Sequence, residues 1–318
     1  MTKTSQHFSF IKILTGSDLS KRRIPLMEIY SAQDGPTVWL TGCMHGDEIG
    51  GTVVIHEIFK KLKGRLLKGR IMAFPLMNPF GFETISRNIS YSKEDLNRSF
   101  PGNKAGTLAE RIASIIFLKI INTKPSLVID LHNDWKKSIP HALSELVDSP
   151  AINDLVLKYS KMTGLLQVED TDKIYSSLTY NLMKENIPSL VLELGESFII
   201  NEQNIEVGIN AIWNILVNLE MVAKQNDLYQ FPISPEYLEN TLLYSCLPLS
   251  STSGIVRFFK NPGDKVKRGQ KIAKVSNAYG KQVEIIYAIA NGIIIGQTDT
   301  ALAFPGSPVM AFGILQNE

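Results

Sequence analysis

Two short segments carry residues that could bind a metal ion. Residues 42–48 (Gly-Cys-Met-His-Gly-Asp-Glu) place His45 and Glu48 three positions apart at a predicted strand-to-helix turn. Residues 129–132 (Ile-Asp-Leu-His) bring His132 to the end of another apolar run. Two imidazoles and one carboxylate, with a fourth position left to water, form the ligand set of hydrolytic zinc sites. Taken alone, the spacing of His45 and Glu48 is more typical of a simple helix start, where an acidic first turn favours the helix dipole.

Two further acidic residues end or flank predicted strands. Glu193 ends the apolar run 189–193, and because an unpaired buried carboxylate is costly, it must reach a partner or a cleft. Beside a metal-activated water it would act as general base and then pass the proton to a leaving amine. The alternative is a structural ion pair with a lysine or arginine. Asp130 could orient the imidazole of His132, or it could be a solvated acid at a strand end.

One loop carries side chains that suit a free carboxylate. Arg87 precedes the segment 94–102, which contains Asn97 and Arg98. Arginine presents a rigid fork that binds a carboxylate through two parallel hydrogen bonds, and asparagine can add a third. Next to a zinc cleft, this loop would fit a substrate with a carboxylate. Ordinary exposed loop arginines are the alternative interpretation.

The order of apolar runs predicts the elements that position these residues. Strands are predicted at 36–42, 70–76, 126–131 and 189–193, and helices at 49–62, 108–121 and 205–222. Apolar strands separated by helices indicate an α/β fold, with a mostly parallel mixed sheet covered by helices on both faces. Sites in such sheets lie at the carboxyl ends of the strands, where His45, Glu48 and His132 all fall.

The pattern changes near residue 242. Short β-type runs follow, split by turn signals such as Asn261-Pro-Gly-Asp and Asn291-Gly, and they predict a small all-β module. The segment 225–236, with two prolines, is the predicted linker. We therefore expect a catalytic domain over residues 1–240 and a β-rich C-terminal domain over residues 241–318.

Composition limits the classes of function. The chain has 318 residues, with 33 Lys and Arg against 31 Asp and Glu, so its net charge of +2 indicates neither a nucleic-acid nor a membrane partner. Its two cysteines, Cys43 and Cys246, form no disulfide framework and no CxxC zinc site. The polar N-terminal residues do not resemble a signal peptide, and no apolar run is long enough for a membrane span. A cytoplasmic protein is expected.

Taken together, the motifs resemble those of the succinylglutamate desuccinylase and aspartoacylase family, within the zinc-carboxypeptidase-like superfamily. In the family's order they are GxxHGDE at 42–48, NPFGFE at 78–83, DLNRSFPG at 95–102, DLH at 130–132 and ELG at 193–195. The resemblance extends over about residues 35–318, because the β-rich tail is similar to the family's C-terminal module. Five motifs in the same order are far more specific than any one of them.

The resemblance implies a role for each matched residue. His45, Glu48 and His132 would bind one zinc ion, and Glu193 would be the catalytic glutamate. Asn97 and Arg98 would hold the substrate carboxylate, and Arg87 would polarise the scissile carbonyl group. Glu196, directly after the ELG motif, could share the role of base with Glu193.

The implied activity is hydrolysis of the amide bond in a small N-acyl amino acid. A metallocarboxypeptidase acting on short or modified peptides would use the same ion and base, and an inactive zinc-binding scaffold would keep only the ligands. The tail looks like a lipoyl or biotinyl module without the usual lysine setting, so a structural role is expected for it. The sequence leaves open whether the protein forms a homo-oligomer through this module.

Overall fold

The chain folds into two sheets flanked by helices, over the described residues 4–15, 19–298 and 300–316 of a computed structural model. The strands are β1 (Thr4–Thr15), β2 (Lys21–Ser31), β3 (Thr37–Gly42), β4 (Arg70–Phe74), β5 (Leu127–His132), β6 (Lys137–Ser138), β7 (His141–Ser144), β8 (Leu166–Glu169), β9 (Ser189–Glu193), β10 (Thr241–Ser245), β11 (Gly254–Phe258), β12 (Lys265–Val266), β13 (Lys271–Ser276), β14 (Gln282–Tyr287), β15 (Gly292–Gln297), β16 (Leu302–Ala303) and β17 (Met310–Ile314). The helices are α1 (Gly50–Leu62), α2 (Pro79–Glu83), α3 (Leu108–Ile121), α4 (Pro150–Met162), α5 (Leu178–Lys184), α6 (Glu202–Asn218) and α7 (Pro235–Leu238), and a short 3-10 helix covers Leu96–Arg98.

The larger sheet has a parallel centre and antiparallel edges. Its 13 strands follow the order β1-β2-β4-β3-β5-β9-β7-β8-β10-β17-β15-β12, with β6 paired to β15. Strands β4, β3, β5 and β9 are parallel neighbours, whereas β7 runs antiparallel to β9. The four strands β14-β13-β11-β16 form the smaller sheet. The predicted α/β class with a mixed sheet and a small all-β region is confirmed.

Alternate residues of the central strands face opposite layers of helices. Leu40 of β3 packs in a core with α1, α4 and α6, and its neighbour Trp39 packs in a second core with α3 and α5. Because successive side chains of a strand point to opposite faces, these strands need apolar residues at nearly every position. On the α3/α5 face this apolar pattern is interrupted by Thr41, Asp130 and Glu193, all buried.

The predicted elements from residue 36 to residue 222 agree with the structure to within a few residues at their ends. The apolar runs did not predict the antiparallel hairpin of β1 and β2, which adds an edge to the sheet. They also did not predict the segment 137–184, where β7, β8, α4 and α5 complete the far side of the candidate site. Both cysteines are free. Within the described residues, no helix has the length and apolar character to cross a bilayer.

The β-rich tail is joined to the main sheet through β10. This strand lies parallel to β8 and antiparallel to β17. Leu242 is fully buried in a cluster with Leu166 and Val168 of β8 and with Ile293 and Ile295 of β15. Residues from both sides of position 240 therefore share one sheet and one apolar cluster.

Candidate active site

Adjacent strand ends and one tight loop position the three candidate metal ligands. Strands β3 and β5 are paired with Gly42 opposite Leu131, so the loop after β3 and the last residue of β5 meet at one edge of the sheet. Gly46 makes the loop possible: its backbone nitrogen donates to Ser86 at 2.9 Å, and a Cβ atom there would lie 1.9 Å from the carbonyl carbon of Gly81.

The ligand atoms of His45, Glu48 and His132 converge on one point. One potential donor atom from each residue lies within 4.8 Å of the others, and all three residues are buried. Nδ1 of His45 is 2.6 Å from Oε1 of Glu48, and Nδ1 of His132 is 2.8 Å from Oε2 of the same carboxylate. The three side chains predicted from the sequence to share an ion are therefore close enough to do so.

Two further carboxylates bind the outer nitrogens of the two imidazoles, which are the Nε2 atoms that face away from Glu48. Nε2 of His45 donates to Asp95 at 3.1 Å, and Nε2 of His132 donates to Asp130 at 2.9 Å. Asp130 also accepts a hydrogen bond from Thr41 at 2.6 Å. Metal-binding histidines commonly donate their outer N–H to a carboxylate in this way, which orients the ring and presents the inner nitrogen to the ion.

The electrostatics of this cluster suit a divalent cation. Burial opposes the charge on Glu48, but the nearby His45 and His132 outweigh it and lower the pKa of Glu48 below its usual value. Burial likewise disfavours a charged His132, yet Asp130 and Glu48 raise the pKa of its imidazole well above the usual value. Three carboxylates around two buried rings thus favour positive charge at this point, and nitrogen and oxygen donors of this kind bind divalent metal ions.

Glu193 lies beside this cluster and has an unsatisfied oxygen. It ends β9 directly opposite His132 in the register of β5 and β9. Its side chain is buried, at 9% exposure, and Oε2 has no hydrogen-bond partner among the described residues. Burial and the charge of Asp134 raise the pKa of Glu193 well above its usual value, although His132 opposes the shift. A carboxylate with this environment holds a proton more readily than a solvated one does.

The predicted carboxylate-binding residues lie on the loop between α2 and α3. The side chain of Arg87 is 46% exposed and lies 3.4 Å from Glu48 and 3.0 Å from Asp95. Asn97 accepts a hydrogen bond from the backbone nitrogen of Leu178, at the start of α5, at 3.0 Å. Arg98 donates to the backbone oxygen of Asn97 at 3.0 Å. This bond holds the side-chain oxygen of Asn97, and both arginines are exposed residues.

One cavity of about 250 Å³ lies at this site. The seven residues predicted as catalytic, substrate-binding or metal-binding all line it, namely His45, Glu48, Arg87, Asn97, Arg98, His132 and Glu193. Glu196, which could have shared the role of base, does not line it, and its carboxylate accepts a hydrogen bond from Asn201 at 2.7 Å. A larger concavity of about 710 Å³ beside β1 and β2 contains none of the seven.

Several residues of the site were not predicted from the sequence. Asp95 belongs to the DLNRSFPG motif, so its contact with His45 could have been suggested by that motif. Glu145, Asp170 and Tyr244 line the cavity, but each lies far along the chain from any motif. Only the pairing of β7, β8 and β10 beside β9 brings them to the site.

Known proteins resemble this chain in sequence. A family model for the succinylglutamate desuccinylase/aspartoacylase catalytic domain matches residues 34–219. The chain is 27% identical over 249 residues to the N-alpha-acetyl-L-2,4-diaminobutyric acid deacetylase of Halomonas elongata, which covers 76% of this chain and 71% of that protein.

Solved structures share the fold along nearly the whole chain. The product-bound ectoine utilization protein EutE of Ruegeria pomeroyi has a TM-score of 0.84 at 23% identity, covering 98% of this chain and 95% of that one. A succinylglutamate desuccinylase/aspartoacylase structure from Rhodobacter sphaeroides has a TM-score of 0.82 at 20% identity, covering 99% and 96%. A metallo-carboxypeptidase from Burkholderia cenocepacia has a TM-score of 0.55 at 16% identity, covering 67% and 65%. The chain therefore belongs to the succinylglutamate desuccinylase/aspartoacylase family of amide-hydrolysing enzymes and shares the carboxypeptidase-like fold.

Proposed function

We propose that this protein is a zinc-dependent deacylase that cleaves the amide bond of a small N-acyl amino acid. The observation that carries the proposal is the buried group of His45, Glu48 and His132, with the unpartnered Oε2 of Glu193 beside it. The family of the chain and the deacetylase activity named for its Halomonas relative support the reaction class.

Zinc is the ion that this donor set favours. Two imidazoles and one carboxylate, leaving one position open, are typical of catalytic zinc sites, whereas magnesium and calcium prefer oxygen ligands. A zinc ion bound here would lower the pKa of a water molecule toward ~7. Elemental analysis of protein purified without added chelator should find close to one zinc per chain, and loss of that metal on dialysis against chelator should abolish turnover.

The protein's own residues would carry out the remaining chemistry. Glu193 would take a proton from the attacking water, because its Oε2 is free of other partners, and would then deliver it to the leaving amine. Arg87 would hydrogen-bond the carbonyl oxygen as negative charge develops there. Asn97 and Arg98 would hold the substrate carboxylate and so fix the scissile bond relative to Glu193.

A single isosteric substitution tests this mechanism. Glu193→Gln keeps the size of the side chain but removes the base, so we expect kcat to fall by about 10²–10⁴-fold with zinc content unchanged. Glu185→Gln, at the exposed end of α5, is the matched control and should retain normal kcat. Near-normal turnover by Glu193→Gln with bound zinc would remove Glu193 from the mechanism.

A carboxypeptidase acting on short peptides is the second candidate, and the structural likeness to a metallo-carboxypeptidase favours keeping it. The cavity volume of about 250 Å³ supports the smaller substrate, because ligand pockets usually range from about 300 to 1,000 Å³. A panel of N-acetyl and N-succinyl amino acids and dipeptides separates the two activities. Turnover of dipeptides alone would favour the peptidase, and hydrolysis of nothing in the panel would favour an inactive metal-binding scaffold.

A further inference from the structure

Strand β1 forms one edge of the larger sheet. Among the described strands it pairs only with β2. It is 12 residues long, which is about twice the usual length of a strand. Within the described ranges, no backbone hydrogen bond outside the ladder of β1 and β2 involves its residues. An edge of this length offers a row of N–H and C=O groups to another strand.

The sequence of β1 lacks most of the features that keep edge strands from pairing. Such strands are usually short or carry proline and several charged side chains. Strand β1 contains no proline, and its only ionisable side chains are those of His7 and Lys12. Its register with β2 shifts only between Lys12 and Leu14. Residues 4–12 therefore form a regular strand that is open to a further partner.

Two phenylalanines make this edge apolar. Phe8 and Phe10 lie two residues apart, and so on the same face of β1. Their side chains are 61% and 64% exposed. Their partners on β2 are Met27 and Pro25, so each phenylalanine already has an apolar neighbour on its inner side. On the outer side, the two rings extend this apolar surface to the open edge of the sheet.

We propose that β1 pairs with β1 of a second copy of this chain, in antiparallel orientation about a twofold axis at Ser9. The two large sheets then become continuous across a symmetric dimer. In this register Phe8 of one protomer lies opposite Phe10 of the partner subunit, and the reverse pair lies on the other side of the axis. The paired residues, 6–12 of each copy, all belong to the regular part of the strand.

The phenylalanines select this register over its neighbours. An axis at Phe8 would place Phe10 opposite Gln6, and an axis at Phe10 would place Phe8 opposite Lys12. With the axis at Ser9, both rings gain an aromatic partner, and Gln6 lies opposite Lys12, so like charges do not face each other. Aromatic pairs stabilise antiparallel strands, whereas like charges directly opposite destabilise them.

The size of the contact indicates a dimer of moderate strength. The four rings, each about three-fifths exposed, bring up to roughly 500 Å² of apolar surface to it. Stable interfaces begin at about 1,200 Å² in total, and the paired backbones and flanking side chains contribute to the remainder. We expect a dissociation constant in the micromolar range. None of the residues that line the catalytic cavity belongs to β1 or β2, so this inference does not depend on the deacylase proposal.

Sedimentation velocity over a concentration series tests the dimer. The mass of the wild type should rise from one chain to two. Replacing Phe8 and Phe10 together by serine should raise the dissociation constant at least about tenfold. Phe304→Ser, at a site 57% exposed in the C-terminal region, is the matched control and should leave it unchanged. A wild type that stays monomeric far above micromolar concentrations, or a dimer weakened only by Phe304→Ser, would overturn the proposal.

A cysteine at the proposed axis tests the register. Residues directly opposite each other in an antiparallel pair have Cβ atoms about 4.5–5.5 Å apart, which a small adjustment brings within reach of a disulfide. Ser9→Cys in a Cys246→Ser background, where the remaining Cys43 is buried, should give a covalent dimer on mild oxidation.

Ser5→Cys in the same background is the control, since its two cysteines would lie about 27 Å apart along the paired strands. We expect little covalent dimer from this variant. Failure of Ser9→Cys to cross-link, or equal cross-linking at both positions, would refute pairing about Ser9.

Discussion

Each imidazole of the candidate metal site is held at both of its nitrogens. The inner nitrogens face Glu48, and the outer ones donate to Asp95 and Asp130. The outer carboxylates therefore decide which ring nitrogen carries a proton and which one is available to an ion. The side chains of Asp95 and Asp130 would act on a bound ion only through the histidines, so we class them as positioning residues.

Asp130→Asn tests this positioning role. Thr41 donates to Oδ1 of Asp130, so the amide oxygen should take that position and the NH₂ group should face Nε2 of His132. The ring would then carry its proton on Nδ1, which cannot bind metal in that state. We expect zinc affinity to fall by about 10–100-fold, measured by competition with a chromophoric chelator. Asp154→Asn, on the exposed side of α4, serves as control, and an unchanged affinity in Asp130→Asn would contradict the proposed tautomer.

His141 should make stability depend on pH. It is fully buried, and burial lowers the pKa of its imidazole from 6.5 to about 4, although a hydrogen bond to Ile139 opposes the shift. Between these values the unfolded chain binds a proton that the folded chain does not. The contribution of a neutral His141 to the free energy of unfolding is therefore complete above pH 6.5 and is lost as the pH falls toward 4. The free energy of unfolding changes by about 3 kcal/mol in total through this group.

Comparison with His141→Asn isolates that contribution. Asparagine can keep the hydrogen bond to Ile139 but does not titrate. Urea unfolding of both proteins, with metal removed by chelator, should show wild type losing stability relative to the variant as the pH drops from 6.5 to 4. A stability difference that is constant over this interval would show that His141 does not titrate in this way.

At the scale of elements, the loop after β3 is fixed by close backbone contact. A Cβ atom on Gly46 would lie 1.9 Å from the backbone of Gly81 in α2, so the loop and this helix would have to separate. We expect Gly46→Ala to destabilise the protein by about 1–3 kcal/mol. Zinc affinity should also fall at least about tenfold, because movement of His45 and Glu48 disturbs the ligand geometry.

Gly64→Ala is the control for that substitution. A Cβ atom on Gly64 would have no neighbour within 4 Å, but the residue has a φ of +72°. We expect a cost of about 1–2 kcal/mol from backbone strain and no change in zinc affinity. Denaturant unfolding and chelator competition measure the two effects separately. Equal zinc affinity in the two variants would refute a specific role for the contact between Gly46 and Gly81.

At the scale of the whole molecule, the division at residue 240 remains a prediction. We propose that residues 241–318 fold as a structural module whose stability is coupled to the first 240 residues through β10 and Leu242. Leu242→Ala should lower the free energy of unfolding by about 2–5 kcal/mol, because it opens a cavity in that shared cluster. Leu155→Ala, at a site 39% exposed, should have a much smaller effect.

The number of unfolding transitions tests the coupling. Calorimetry should show one transition for the wild type, and Leu242→Ala should shift all of it to lower temperature. Two separate transitions, with only one shifted by the substitution, would instead show two independently stable domains.

The sequence alone predicted which residues meet at the centre and the order of the central elements. Apolar strands followed by polar residues predicted where His45, Glu48, His132 and Glu193 would meet, because parallel strands end at a common edge. The family motifs added the loop with Asn97 and Arg98. These features are local: each depends on a few neighbouring residues and on a sheet topology that periodicity indicates.

Only the tertiary structure decided the far side of the cavity. Glu145 and Asp170 follow short strands that carry no motif, and their placement depends on β7 running antiparallel to β9 with β8 beside it. Tyr244 reaches the cavity because β10 pairs with β8 across about seventy residues of chain. Pairing between distant segments is set by packing over the whole fold, and short runs do not encode it locally.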